Sequence, residues 1–154
     1  MGGKQDYTIK WWTQERWQAV VDLLAAEKIA VVQVGATTGT NHTHFDLTGV
    51  TDLRGQTSGR ELIQLIHHAE GVLSPVTFVM HLAAAVPMRP GAPKSRPCVV
   101  VAGGREPAHW EAYTSHRFLH NCGSLPCCDS GGCWKSRVVP LNDGNAKLDG
   151  AICL

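Results

Sequence analysis

Hydrophobic residues recur at helical spacing in three segments of the chain. An amphipathic helix places apolar residues at positions i, i+3, i+4 and i+7, which share one face. The segments span about residues 14–27, 59–69 and 78–86. The apolar residues in these positions are Trp17, Val20, Val21 and Leu24, then Leu62, Leu65, Ile66 and Ala69, then Val79, Leu82, Ala83 and Val86. The pattern therefore predicts three helices that each bury one face.

Each predicted helix is preceded by a residue that suits an N-cap. The hydroxyls of Thr13 and Thr77 can accept a hydrogen bond from a backbone N–H group of the first turn. Ser58 and Glu61 have the spacing of a capping box, in which each side chain bonds to the other residue's backbone. We therefore expect all three helices to begin at hydroxyl-bearing residues.

Short apolar runs alternate with these helices. Residues 29–34 and 98–102 are almost entirely apolar, which is typical of strands buried on both faces, and 50–53 and 72–73 are shorter strand candidates. Strands that alternate with helices at this spacing form βαβ units with right-handed crossovers. The predicted fold class is α/β, with a Rossmann-like parallel sheet that carries helices on both faces.

Three loops rich in small residues follow the predicted strands, at 35–40, 74–78 and 103–107. In such a sheet the ligand site lies beyond the carboxyl ends of the strands, where a helix N-terminus favours a phosphate. His81 lies one turn into the third helix and is expected to face the same place. No Walker A loop or dinucleotide fingerprint occurs. Two interpretations therefore stay open, a phosphate-binding domain and an α/β domain with another kind of site.

The remaining segments of the first hundred residues are polar or terminal. Residues 39–48 contain His42 and His44, which we expect to be solvated in a flexible loop, with metal ligation as the alternative. Residues 1–12 form a leading segment, and its tryptophans at positions 11 and 12 are expected to pack on the domain.

The net charge and the lengths of the apolar runs argue against several classes of protein. The 154-residue chain has a net charge of +1, which gives no reason to expect nucleic acid or an anionic membrane as a partner. No apolar run approaches the roughly 20 residues of a membrane-spanning helix, and the first ten residues lack the apolar region of a signal peptide. We therefore expect a cytoplasmic protein whose cysteines are thiols or metal ligands in preference to disulfides.

Cysteines are concentrated at the end of the chain. Five of the six lie within residues 119–154, so we divide the chain into a Rossmann-like domain at 1–118 and a Cys-rich extension at 119–154. Dense thiolates often share a metal, and four suffice for tetrahedral zinc or iron. The spacing is not a regular Cys-x2-Cys pair, so free thiols and disulfides are alternatives. Cys98 lies inside an apolar run and is interpreted as a buried small hydrophobic residue.

Five motifs together resemble a known family. They are Lys10-Trp11 before a helix, Val31-Val32-Gln33-Val34-Gly35, Asp52-Leu53-Arg54-Gly55-Gln56-Thr57-Ser58, Thr77-x-x-Met80-His81-Leu82-Ala83-Ala84 and Val101-Ala102-Gly103-Gly104-Arg105-Glu106-Pro107-x-x-Trp110. In this order, over about residues 8–115, the chain resembles the carboxyl-terminal half of the heptosyltransferase family of GT-B glycosyltransferases. The fold implied is one of the two Rossmann-like halves that enclose a cleft.

The resemblance implies the donor-binding half of an enzyme that transfers a heptose-like sugar from a nucleotide diphosphate sugar such as ADP-heptose, in lipopolysaccharide biosynthesis. It also implies an N-terminal acceptor-binding domain, absent from this chain, so that the isolated domain binds nucleotide without turnover. GT-B enzymes stabilise the leaving diphosphate with hydrogen-bond donors and a helix end, and no Asp-x-Asp metal motif occurs here. The alternative is a non-catalytic, degenerate Rossmann module whose metal-stabilised cysteine knuckle serves assembly or partner binding.

The resemblance also implies individual donor-binding residues. They are Gly35 and Ala36 on the approach to the diphosphate, Thr57 near the nucleotide, and Thr77, Phe78 and His81 at the phosphates. The family commonly has Asp-Thr/Ser-Gly where this chain has Val76-Thr77-Phe78. Phe78 is therefore expected to hinder the close backbone approach that glycine permits.

A metal site is implied by one branch of the same family. The autotransporter heptosyltransferases hold an iron between cysteines near the carboxyl end. The similar residues here are Cys127, Cys128, Cys133 and Cys153, with Cys122 as a reserve ligand. The implied role of such a zinc or iron site is structural, since a closed thiolate site adds folding stability and no chemistry.

Overall fold

The computed structural model describes residues 2–37, 42–126, 128–129 and 131–133, with side chains from Tyr7 onward. Its elements in chain order are β1 (Gly2–Lys4), a 3₁₀ helix (Gln5–Lys10), α1 (Gln14–Ala26), β2 (Val32–Gln33), β3 (His42–His44), β4 (Thr51–Asp52), α2 (Gly59–His68), β5 (Val72–Pro75), α3 (Phe78–Ala85), β6 (Cys98–Gly103), α4 (Ala108–Glu111) and β7 (His116–His120). Parallel strand pairs flanked by helices confirm the predicted α/β class. None of the helices in these ranges is long and apolar enough to cross a membrane.

The largest sheet contains three parallel strands in the order β5, β6, β7. The central strand, β6, turns Cys98, Val100 and Ala102 inward, each at most 1% exposed. Burial raises the pKa of Cys98 to about 11, which agrees with its prediction as a buried hydrophobic residue. The inner face of this sheet packs against α2 and α3, and the buried residues contributed from outside β6 are Ile66, Val72, Val76, Met80, Leu82 and Ala83.

A second parallel sheet contains only β2 and β4, with Val32 opposite Thr51. The sequence predicted a strand over residues 29–34 that is buried on both faces, and this prediction is wrong. Ile29 is 50% exposed and lies outside the strand, and Val32 is 44% exposed. An apolar run becomes a buried strand only where neighbours cover both faces. Here Gln33 is buried and Val32 is exposed, so only one face of β2 is covered.

The N-terminal segment pairs with the histidine segment. β1 runs antiparallel to β3, with Gly3 opposite Thr43. The expectation that His42 and His44 are solvated in a flexible loop is therefore wrong, since both lie in a strand and are partly buried. Trp11, in contrast, is only 8% exposed, so its predicted packing on the domain is confirmed.

The first two helices begin as predicted. The Thr13 hydroxyl accepts a hydrogen bond from the Arg16 N–H at 3.4 Å, at the start of α1. At the start of α2, the Ser58 N–H donates to Glu61 at 2.8 Å, and the Glu61 N–H donates to the Ser58 hydroxyl at 3.3 Å. The capping box is therefore complete. Both starts are set by short-range sequence signals.

Arg96 joins the carboxyl ends of α2 and α3. Its side chain is 2% exposed, and no carboxylate pairs with it among the described residues. The guanidinium instead donates to five backbone carbonyls, those of Val86, Ala83, Ala69, His67 and Pro87. The last carbonyls of a helix have no partner within the helix, so one side chain satisfies the ends of two helices.

Candidate functional site

A cavity of about 760 Å³ opens at the carboxyl ends of β2 and β5. Its walls come from the segments after these strands, from Arg105 and Glu106 after β6, and from Tyr7 and Lys10 of the N-terminal 3₁₀ helix. The three loops that the sequence predicted to converge therefore meet in one place. The volume is within the range of pockets that hold small ligands.

The start of α3 forms one wall of the cavity. Thr77 occupies the N-cap position, but its side chain makes no capping hydrogen bond, so the prediction that its hydroxyl caps the helix is wrong. The Thr77 hydroxyl lies instead 3.0 Å from that of Ser74, whose own hydroxyl donates to the Pro75 carbonyl at 2.7 Å. Because a serine has one O–H, Thr77 is the donor in their contact. The Thr77 side chain therefore leaves the first-turn N–H groups of this helix uncapped.

Five of the six residues predicted to bind the donor line the cavity, namely Gly35, Ala36, Thr57, Thr77 and Phe78. Phe78 is 65% exposed. A Cβ atom at Gly35 would lie 2.8 Å from the ring of His44, so the close approach of this ring requires glycine. His81 is not part of the lining. Its Nδ1 lies 2.9 Å from the Tyr113 hydroxyl, and its role at the phosphates stays a prediction.

Two cations and one carboxylate share the opposite wall. Lys10 Nζ lies 2.6 Å from Glu106 Oε1, and Arg105 Nε lies 3.4 Å from the same oxygen. The Arg105 guanidinium also lies over the ring of Tyr7, 5.2 Å from its centroid. The three charged groups together carry a charge of +1, which favours an anionic ligand in the cavity. The sequence pointed to the 103–107 loop but not to its ion pair with Lys10, since the two positions are far apart along the chain.

Gln33 and His44 add buried polar atoms to the lining. Gln33 is 1% exposed, and its Nε2 donates to the Phe45 carbonyl at 2.8 Å. Burial is the main cause that lowers the pKa of His44 to about 4, and the charges of His42 and Arg54 act in the same direction. His44 is therefore neutral at pH 7. Neither residue was predicted to belong to the site, because a glutamine inside an apolar run gives no functional signal and His44 was expected to be solvated.

Part of the cysteine-rich extension packs beneath the 103–107 loop. Cys128 and Cys133 are buried in a cluster with Ile9, and the Cys133 N–H donates to the Gly104 carbonyl at 2.8 Å. Burial raises the pKa of Cys122, and the nearby Cys128 thiol adds to the shift. No group of three or more His, Cys, Asp or Glu side chains in the described ranges is arranged to hold a metal. Two of the four predicted ligands, Cys127 and Cys153, lie outside the described residues, so the metal site stays a prediction.

Comparison with known proteins gives one match. A family model described as glycosyltransferase family 9 (heptosyltransferase) matches residues 4–119. This range includes every residue that lines the cavity. No curated protein and no solved structure matches the chain.

Proposed function

The chain belongs to glycosyltransferase family 9, the heptosyltransferases, and from this premise we propose that its cavity binds the nucleotide diphosphate sugar from which the sugar is transferred. Family membership gives glycosyl transfer as the class of activity. The heptose-like sugar and an ADP-type nucleotide belong to the proposal. The observation that carries it is the meeting of an uncapped helix start and two cationic side chains in one cavity.

The diphosphate is proposed to lie between the start of α3 and Lys10. The N-terminus of a helix offers backbone N–H groups and a partial positive charge, and the Thr77 side chain leaves this one uncapped. Lys10 lines the same cavity with a side chain that is 23% exposed. An anion in the cavity would accept hydrogen bonds from the backbone N–H groups at the start of α3 on one wall and from Lys10 on the opposite wall.

The nucleoside is proposed to lie along the β2 side, next to Gly35, Ala36 and Thr57, all of which line the cavity. Contact with the phosphates is also proposed for His81. Its Nδ1 is hydrogen-bonded to the Tyr113 hydroxyl, so Nε2 is the ring atom proposed to meet a phosphate.

The remaining parts of the proposal concern the whole enzyme. We propose that a separate N-terminal domain binds the acceptor and supplies the catalytic base, that the isolated domain binds nucleotide without turnover, and that the protein works in the cytoplasm in lipopolysaccharide biosynthesis. In such an enzyme the leaving diphosphate is stabilised by the donors that bind it in the ground state, which become more effective as charge develops.

Calorimetry with ADP, GDP and UDP tests the proposal. We expect at least one of them to bind, and Lys10→Met to weaken that binding at least tenfold, since a hydrogen bond to a charged group contributes about 1.5–3 kcal/mol. Lys94→Met is the matched control, because Lys94 is exposed and lies outside the cavity lining. Absence of binding by all three nucleotides to the folded protein would refute the proposed function.

A non-catalytic module is the second candidate, and the buried cysteines favour it. Cys128 and Cys133 lie in a cluster with Ile9, and the Cys133 N–H donates to the Gly104 carbonyl of the 103–107 loop, which suits a structural knuckle. Metal analysis combined with size measurement, with and without a chelator, distinguishes the candidates. Loss of an oligomer on chelation, without any effect of nucleotide, would favour the module.

A further inference from the structure

One carboxylate oxygen of Glu106 is buried and takes no part in the ion pairs of this residue. The residue is 9% exposed and lines the cavity. Lys10 and Arg105 both contact its Oε1 atom, at 2.6 Å and 3.4 Å. Its Oε2 atom is buried and has no hydrogen-bond partner among the described residues. A buried carboxylate oxygen without a donor is unfavourable, so a donor on a ligand is the natural partner for it.

Gln33 presents a second acceptor of the same kind. Its amide orientation is fixed, because the Phe45 carbonyl can only accept and therefore holds the NH₂ group, at 2.8 Å. The other end of the amide, Oε1, is buried and has no partner among the described residues. Gln33 is 1% exposed and lines the same cavity as Glu106. The cavity therefore contains two buried acceptors as well as its cations.

We propose that Glu106 Oε2 and Gln33 Oε1 form a subsite that recognises hydroxyl groups of a sugar in the ligand. Hydroxyl groups are neutral donors, whereas the phosphates of the same ligand are acceptors and belong with the cations and the helix start. The subsite rests on the proposed function, since it requires a nucleotide or a nucleotide sugar in the cavity.

Glu106 supplies the cavity with a carboxylate, which other nucleotide-binding folds obtain from a different position. Dinucleotide-binding Rossmann folds use an acidic residue downstream of the first phosphate loop to bind the ribose hydroxyls. The downstream acidic residue here, Asp52 at the end of β4, is paired with Arg54 and does not line the cavity. Glu106 reaches the cavity from the loop after β6, with its charge held by Lys10. The acceptor therefore comes from the loop after β6, a strand of the other parallel sheet.

The hydroxyls have two possible sources, the ribose and the transferred sugar, and calorimetry distinguishes them. The ligands are whichever of ADP, GDP and UDP the wild-type protein binds most tightly, its 2′-deoxy counterpart, and the matching ADP-, GDP- or UDP-glucose. If the subsite binds the ribose hydroxyls, the wild-type protein binds the ribonucleotide about tenfold more tightly than its deoxy form. If the subsite binds hydroxyls of the transferred sugar, the wild-type protein binds the nucleotide sugar more tightly than the nucleoside diphosphate by a similar factor.

Glu106→Gln is the decisive variant. The Lys10 ammonium can only donate, so the new amide oxygen turns toward it and the NH₂ group takes the position of Oε2. An acceptor is thereby replaced by a donor, and the preference should fall to about one. Gln33→Met removes the second acceptor without a change of charge and should reduce the same preference several-fold. Lys94→Met is the control, because Lys94 is exposed and lies outside the cavity lining, so this variant should keep both the affinities and the ratio between ligands.

Circular dichroism and the thermal midpoint of each variant show that it is folded. An equal loss of affinity for all ligands in Glu106→Gln, or a wild-type protein with neither preference, would overturn the subsite and leave the proposed function standing. Failure of the wild-type protein to bind any nucleotide would overturn both.

Discussion

Replacement of Arg96 by methionine should destabilise the domain more than any surface substitution. The Arg96 guanidinium is buried and satisfies carbonyls at the ends of α2 and α3. Methionine keeps the apolar part of the side chain and removes all five donors. The carbonyls are then left without the partner that holds the two helix ends together.

The magnitude follows from the hydrogen-bond distances. Nη1 donates to Val86 at 3.0 Å and to Ala83 at 3.1 Å, and Nε donates to Ala69 at 3.2 Å, all within the usual range. The bonds to His67 and Pro87 are longer, at 3.4 Å, and contribute little. Three hydrogen bonds from a charged donor are worth roughly 4–9 kcal/mol before the cost of guanidinium burial is subtracted. We expect a net loss of about 3–5 kcal/mol, or a thermal midpoint lower by about 10 °C.

Urea unfolding followed by circular dichroism measures this loss. Arg96→Lys should lose about half as much as Arg96→Met, because an ammonium keeps the charge at the helix ends but lacks the planar set of five donors. Arg89→Met is the control. Arg89 is 44% exposed and its ion pair with Glu70 is 4.0 Å long, so a change below about 0.5 kcal/mol is expected. A loss below 1 kcal/mol in Arg96→Met would refute the role of Arg96 as a helix-end partner.

Three further predictions concern the cavity and the cysteines. Phe78→Gly should tighten nucleotide binding several-fold in calorimetry at a stability cost of about 1 kcal/mol, since Phe78 is 65% exposed at the start of α3; unchanged affinity would show that it hinders nothing. Because burial lowers the folded-state pKa of His44 from 6.5 to about 4, the unfolded chain binds more protons between these values. Stability should therefore fall by about 1–3 kcal/mol as the pH drops from 6.5 to 4, and His44→Gln should remove most of this slope in urea titrations. If the four predicted cysteines hold a metal, the purified protein should contain about one equivalent of zinc or iron, and a chelator should lower its thermal midpoint; metal-free protein with an unchanged midpoint would contradict the site.

Local signals in the sequence were sufficient for much of the fold. Thr13 and the Ser58–Glu61 pair fix helix starts through contacts three residues apart. The strand at 98–102 was predictable because its apolar run lies at the centre of the sheet, where it pairs with a strand on each side and alternate residues are buried. The strand His116–His120 was missed, since it mixes charged and apolar residues at the edge of the sheet.

Only the location of the site was predictable, since its geometry depends on contacts between residues that are far apart in the sequence. Loop position relative to predicted strands was enough to bring Gly35 and Thr77 to one cavity. The contact between Lys10 and Glu106 joins residues that no periodicity relates. The same is true of the hydrogen bond between His81 and Tyr113. Residue types indicated the chemistry, and tertiary packing decided which atoms remain available for a ligand.

The two ends of α3 should therefore act independently. The proposed phosphate contact lies at Phe78 and the Arg96 contacts at Ala83 and Val86, which at 1.5 Å per residue are about 8–12 Å away along the helix. Effects at sites this far apart usually add. Arg96→Lys should lower the thermal midpoint while the nucleotide dissociation constant stays within about twofold, and a nucleotide at 100 times that constant should stabilise both proteins equally, by about 2.7 kcal/mol. A tenfold loss of affinity in Arg96→Lys would instead mean that the carboxyl end of the helix sets the geometry of its binding end.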